Sequence, residues 1–275
     1  SEELVRNVEA AGRSCDISID IWSRSRLCHF LDSNASGQWI RRSLLGIEQE
    51  LLSAELLREL CMKSLEIYSP MDNDAAWISR ALDQTLTNAL RRNVTFLVAG
   101  SGLGKSVACY RKLVDHVEAG GFGIVLPHEV LATAMTIEQA INTTLLQLYP
   151  LLAQIGPLAL SFCTPEQPLL LVVEDINRSG QAQILAEKLA RWSCTPKNDG
   201  KGEQRTWSIF CPLWPEVLVS LGEQARKRID PIIITVGGFC EAEGRGAVQA
   251  RAQLQGRKLS LLRAGEISKV LGHDP

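Results

Sequence analysis

The chain has 275 residues, 45% hydrophobic and 22% charged, with a formal net charge of -2 at pH 7, which allows one large or two modest domains with an enclosed core. That balance excludes a strongly basic nucleic-acid-binding chain and gives direct nucleic-acid binding no support. No apolar run approaches the ~18 residues of a membrane span, and the N-terminus has neither a basic cap nor a signal-like apolar segment, so a cytoplasmic protein without a membrane partner is expected.

Eight cysteines (Cys15, Cys28, Cys61, Cys109, Cys163, Cys194, Cys211, Cys240) form no CxxC pair or Cys/His cluster at metal spacing and read as reduced core thiols. The six tryptophans read as core anchors. The chain begins with Ser1 rather than methionine and stops at His273-Asp274-Pro275 just after a helical pattern, as a piece of a longer protein would.

In chain order, residues 1–12 are polar and mixed. Cys15 to Trp22 alternates Ile17, Ile19 and Ile21 with Asp16, Ser18 and Asp20, the period of a strand. A helix is expected from about Ser23 to Leu31, ended by a turn at Ser33–Gly37. From Trp39 to Tyr68 the leucines and Ile47 recur at three- and four-residue intervals and predict two packed helices. Ser69–Asp74 breaks that pattern, and Ala75 to Leu90 restarts a helix carrying Trp77, Ile78, Leu82 and Leu86.

Val94–Val98 is apolar without alternation, as a strand buried on both faces of a parallel sheet should be. Behind it stands Ala99-Gly100-Ser101-Gly102-Leu103-Gly104-Lys105-Ser106, and then Val107, Tyr110, Leu113, Val114 and Val117 at helical spacing. Strand, glycine loop and helix in that order make a phosphate-binding P-loop. The three glycines let backbone N–H groups surround an anion, and the helix N-terminus adds its dipole. Lys105 would reach the β/γ-phosphates and the Ser106 hydroxyl would ligate Mg²⁺. Ala99 stands where the strict pattern has glycine.

Gly120-Gly121 ends that helix, and Phe122–Leu126 is a second strand closed by Pro127. Helical spacing returns from Ile137 to Leu152. Leu169–Val173 is a third buried strand ending in Glu174-Asp175, followed by a helix over roughly Gln181–Trp192. The polar insert Thr195–Arg205 reads as a surface loop. Trp207–Cys211 and Ile232–Val236 are the fourth and fifth strands, separated by a helix near Glu216–Lys227, and Glu241–Gly272 is helical. Strands alternating with helices imply a parallel sheet.

A triphosphate site also needs carboxylates at the end of a neighbouring strand, to hold Mg²⁺ through water and to polarise the attacking water. Glu174 is the candidate on the magnesium side and Asp175 the candidate base or water-orienting group. An acidic helix cap is the plainer alternative for this pair.

The P-loop AGSGLGKS, the acidic strand LLLVVEDINRSG, the following LARW and the segment TWSIFCPLWP together resemble a STAND-class P-loop NTPase, a signalling relative of the AAA+ ATPases. More narrowly they resemble the NTPase cores of large bacterial antiviral STAND proteins, over about residues 75–275. DIWSRSRLCHFLD and GQWIRRSLLGIEQELLS are similar to the tail of Mrr-like, restriction-endonuclease-type effector regions and their connectors. No PD…(D/E)xK arrangement is legible in residues 1–40, so no nuclease residues are assigned, and Asp16 and Asp20 read as solvated.

The resemblance implies an α/β fold, a P-loop NTPase with a five-stranded, mainly parallel sheet flanked by helices. It divides the chain into the tail of an upstream domain (1–38), a helical connector (39–74), the NTPase core (75–240) and the start of a helical lid (241–275). In that family a turn in the lid contacts the base, which makes Pro275 of Gly272-His273-Asp274-Pro275 a candidate nucleotide contact. Arg178 is either a finger reaching a neighbouring subunit's phosphate or a helix-start arginine facing water. Its EINR-like string also resembles modified-cytosine restriction AAA+ GTPases. Arg245 is a second candidate phosphate sensor. Thr235 is a candidate for binding the attacking water or for satisfying the strand edge.

The implied function is a slowly hydrolysing ATP switch, with ATP or another NTP and Mg²⁺ as cofactors. It would control homo-oligomerisation and an attached effector in antiphage defence, under a trigger such as a phage protein. The alternatives are an AAA+ motor or GTP-using restriction subunit, and a nucleotide-locked scaffold without turnover.

Overall fold

Each buried apolar run becomes a strand of one sheet in the computed structural model, which describes residues 2–33, 35–69, 77–153, 158–174, 176–193 and 206–272. The strands are β1 (Val94–Val98), β2 (Gly123–Leu126), β3 (Leu169–Val173), β4 (Trp207–Leu213) and β5 (Ile233–Thr235). All pairings are parallel, in the order β2-β3-β4-β1-β5, with Val94–Val98 facing Ile209–Leu213 and Phe96–Val98 facing Ile233–Thr235. Every residue of β1, β2 and β3 is buried, so apolar side chains line both faces. The fold class is therefore as expected, an α/β fold whose five-stranded sheet is wholly parallel and flanked by helices. The acid-bearing strand departs from expectation. It is not the immediate neighbour of β1, because β4 lies between them.

The chain divides into two units, Ser1–Ser53 with Leu151–Ala153, and Ala54–Pro150 with Gln154–Pro275. The smaller holds α1 (Glu2–Ser14), α2 (Arg24–Ser33) and α3 (Ala35–Ser43). The strand expected at Cys15–Trp22 does not form. Asp16 takes a left-handed φ of 56°, and the Ile17 N–H turns back to the Gly12 carbonyl at 2.9 Å to close α1. Alternation makes a strand only where another strand supplies partners. Pairing in this unit, among the described residues, is limited to an isolated bridge between Glu50 and Leu152. Asp20 is exposed but engaged: its carboxylate meets Arg26 at 2.6 Å and accepts the Trp22 Nε1–H at 2.9 Å.

The expected turn at Ser33–Gly37 is mostly helix, and α3 stops at Ser43 because Gly46 takes a φ of 65° and the Ile47 N–H returns to the Arg41 carbonyl at 3.0 Å. Leu44 and Leu45, placed in a packed helix by their spacing, are exposed.

The larger unit carries α4 (Ala54–Ile67), α5 (Ala81–Ala89), α6 (Lys105–Glu118), α7 (His128–Thr133), α8 (Ile137–Leu148), α9 (Leu158–Ser161), α10 (Ala182–Ser193), α11 (Pro215–Ser220), α12 (Glu223–Ile229), α13 (Glu241–Leu254) and α14 (Leu261–Val270). α5 starts later than its spacing predicts, at Ala81, where the Asp83 carboxylate accepts the Arg80 N–H at 2.8 Å. The single helix expected near Glu216–Lys227 is two, α11 and α12. The break in 70–74 and the insert 195–205 lie outside the described residues.

α6 packs across β2, β3 and β4, and α10 against β1. α4 runs beside β2, the edge strand of the sheet. Its Ser64 Oγ accepts the Val125 N–H at 2.9 Å and its Cys61 Sγ the Gly123 N–H at 3.2 Å. The Tyr110 hydroxyl of α6 donates to the Leu65 carbonyl in the last turn of α4 at 2.9 Å.

The core is mainly aliphatic, with Leu97, Leu113 and Leu171 packed around Phe96 and Phe210. Contrary to expectation, none of the six tryptophans is buried. Three of the rings meet cations instead: Arg26 lies 4.9 Å from Trp22, Arg111 5.2 Å from Trp77 and Lys188 5.8 Å from Trp192. Cys61, Cys109, Cys163 and Cys211 are buried thiols as expected, whereas Cys15, Cys28 and Cys240 are exposed; Cys194 lies outside the described residues. Among the described residues no helix is long and apolar enough to cross a membrane.

Candidate functional site

The loop from β1 to α6 gets its shape from two glycines rather than three. Gly102 (φ 81°) and Gly104 (φ 74°) are left-handed, a conformation that costs a residue with a Cβ roughly 1–2 kcal/mol. Gly100 has an ordinary φ, and a Cβ there would meet nothing nearer than Leu103 Cδ1 at 3.9 Å. Gly104 is also the N-cap of α6, so the helix starts at Lys105 and its first-turn N–H groups open onto the loop. This is the arrangement that gathers backbone donors and a helix dipole around an anion.

Lys105 is 6% exposed, and its ammonium donates to the Gly100 carbonyl, which keeps the charge inside the loop. Burial holds it below the usual lysine value. The lysine thus carries its charge at some electrostatic cost, which an anion beside it would relieve.

A pocket of about 630 Å³ joins this loop to the carboxyl ends of the strands, bringing together Tyr68, Ser101, Lys105, Ser106, Glu174 and Arg178. Glu174 follows β3, with its N–H on the Leu126 carbonyl at 3.0 Å and its side chain exposed. Arg178 ends a 3-10 turn, Ile176–Arg178, and lines the pocket of its own chain. Asp175 and Pro275 lie outside the described residues.

Two expected residues are elsewhere. Thr235 stands opposite Val98 on β5, on the side of β1 away from β3, and does not line the pocket. Arg245 sits on α13, where it pairs with Glu241 at 3.0 Å, also outside the pocket lining. The first is carried off by strand order, the second by an i,i+4 ion pair on its own helix.

Sequence reasoning missed three residues of this pocket. The Asn177 side chain donates to the Pro212 carbonyl at 3.1 Å and accepts the Trp214 N–H at 2.7 Å, clipping the segment after β3 to the end of β4. Trp214 lines the pocket from that end, and Tyr68 enters from the end of α4. The one local signal was position: Asn177 falls three residues after Glu174, and Trp214 directly after a strand.

The Ser106 hydroxyl and the Glu174 carboxylate are hard oxygen donors in one pocket, a donor set that suits Mg²⁺. Among the described residues no group of three His, Cys, Asp or Glu could hold a metal ion alone. An ion here would therefore take most of its ligands from phosphate and water oxygens.

No family model matches the chain, and no curated protein matches it. Two of the solved structures that resemble it remotely are these. One is the Aeropyrum pernix Orc1 protein in complex with DNA, at 13% identity and a TM-score of 0.40, with 72% of this chain and 63% of that chain covered. The other is a chain of the HORMA:CdnC:Trip13 complex of E. coli MS115-1, at 12% identity and a TM-score of 0.36, with 78% and 70% covered. The chain thus spans under two thirds of the first of these proteins, and at such distances its function has to be argued from its own site.

Proposed function

We propose that the chain is a Mg²⁺-dependent nucleoside triphosphatase, with ATP as the expected substrate. The observation that carries this reading is the single pocket in which a left-handed glycine loop, a buried lysine and the first turn of α6 meet a carboxylate at the end of β3. The loop N–H groups would take the phosphates and Lys105 the β/γ oxygens. Glu174 would act on the magnesium side, through water, and Asp175 would be the base or orient the attacking water. Ser106 and Glu174 would hold Mg²⁺, which when bound supplies charge neutralisation at the phosphate oxygens.

The finer reading is a STAND-type switch, slow in turnover, that governs homo-oligomerisation and an attached effector in antiphage defence. Its support is the sequence resemblance over about residues 75–275, with residues 241–275 as the start of a lid.

Separate Glu174→Gln and Asp175→Asn variants test the catalytic reading. Hydrolysis by each should fall by about 10²–10⁴-fold while nucleotide affinity stays within a few-fold of wild type. Undiminished hydrolysis in both variants would remove the acids from the mechanism, whereas a wild-type chain that binds nucleotide without hydrolysing it would be a scaffold.

A further inference from the structure

Tyr68 enters the pocket from the end of α4, and the turn that carries it is bonded on both sides. It follows α4 directly, its N–H closing the last turn on the Ser64 carbonyl at 3.2 Å. The same turn is tied to the sheet through Ser64 Oγ and the Val125 N–H, and to the P-loop helix through the Leu65 carbonyl and the Tyr110 hydroxyl. Val125 and Tyr110 themselves line the pocket. α4 is therefore latched to β2 and α6 at the residues that border the site, and Tyr68 projects from that latch.

Its surroundings indicate which end of the pocket it serves. Burial raises the phenol above its ordinary value, and the carboxylates of Glu174 and Glu129 raise it further. Tyr68 lines the same pocket as Glu174, and its phenol is a neutral O–H donor there. The terminal phosphate must sit beside Glu174 if that acid is to hold Mg²⁺ there through water. A neutral donor there costs no charge repulsion with the acids and offers a hydrogen bond to an anionic oxygen, stronger than one to a neutral acceptor.

We propose that Tyr68 is a specificity-determining residue of this pocket, its hydroxyl donating to the terminal phosphate of a nucleoside triphosphate and so linking that phosphate to α4. The proposal rests on the triphosphatase reading above. A diphosphate, lacking that group, would leave Tyr68 unengaged, so the two nucleotides would differ in what they ask of α4.

The test is calorimetric titration of the full chain, wild type and Tyr68→Phe, with ADP and with the β,γ-imido analogue of ATP, both with Mg²⁺. Phenylalanine keeps the ring, and ADP affinity reports whether the site is intact. The expected result is an ADP affinity within about twofold of wild type and an analogue affinity at least about tenfold weaker, as loss of a hydrogen bond to a charged group implies. An equal loss for both nucleotides would assign Tyr68 a packing or base-contacting role and overturn the proposal. No loss for either would do the same. Wild-type protein that binds neither nucleotide would bring down the triphosphatase reading as well, which separates the two failures.

Discussion

His116 shows how far a single side chain can be from what its sequence neighbours announce. It lies in the last turn of α6, buried, with Nε2 2.8 Å from the Pro168 carbonyl, which fixes that nitrogen as the donor. A Cβ on Gly121 would come within 2.4 Å of the ring, so the glycine that follows the helix also makes room for the imidazole. Burial holds His116 below its ordinary value of 6.5. Above that pH the ring is neutral in both the folded and the unfolded chain, and its contribution is complete. As the pH falls below 6.5 the unfolded chain takes up the proton first, so stability declines toward the lower folded value. Denaturant unfolding between pH 7.5 and 5 should show this decline, at no more than about 1.4 kcal/mol per pH unit from this group. His116→Gln should flatten the slope. At this scale the P-loop was legible because its chemistry lies in consecutive residues. Asn177 was not, because its partners Pro212 and Trp214 are 35 and 37 positions away and only the adjacency of β3 and β4 joins them.

Between elements, the contact that most resists reading from the sequence is the one Glu243 makes. Its carboxylate accepts the Cys240 N–H at 2.9 Å at the start of α13 and the Ala81 N–H, also at 2.9 Å, at the start of α5. One acid thus caps two helices whose first turns are more than 150 positions apart in sequence. Arg80, 8% exposed, donates to the Gly237 carbonyl at 2.8 Å, stacks 4.8 Å from Phe239 and pairs with Glu243 at 3.9 Å. Burial alone would raise the Glu243 carboxyl, but the two backbone N–H groups and Arg80 hold it below the usual range. Glu243→Ala should destabilise the larger unit by about 2 kcal/mol, since each helix loses a cap. The measurement is the urea midpoint, with the unchanged m-value expected of a local loss. Strands were easier to read than such contacts: β3 is a continuous apolar run and β1 is one broken only by Thr95, and a run buried on both faces needs no phase. The alternating run at Cys15–Trp22 failed because alternation states a period and says nothing of a partner. Strand order was illegible for a related reason, since nothing within β4 marks that it inserts between β1 and β3.

For the molecule as a whole, the resemblance to NTPase cores begins near residue 75, but the larger folded unit begins at Ala54. The difference is α4, and its Ser64 and Cys61 occupy two N–H groups on the open side of β2. An edge strand with such groups uncovered is a template for another chain. The choice of expression boundary therefore has a colloidal consequence as well as a catalytic one. A fragment starting at residue 75 should self-associate through β2, visible as rising light scattering and thioflavin binding with concentration, while one starting at Ala54 should stay monodisperse under the same conditions. If both fragments behave alike, the helix is not what keeps this edge from polymerising.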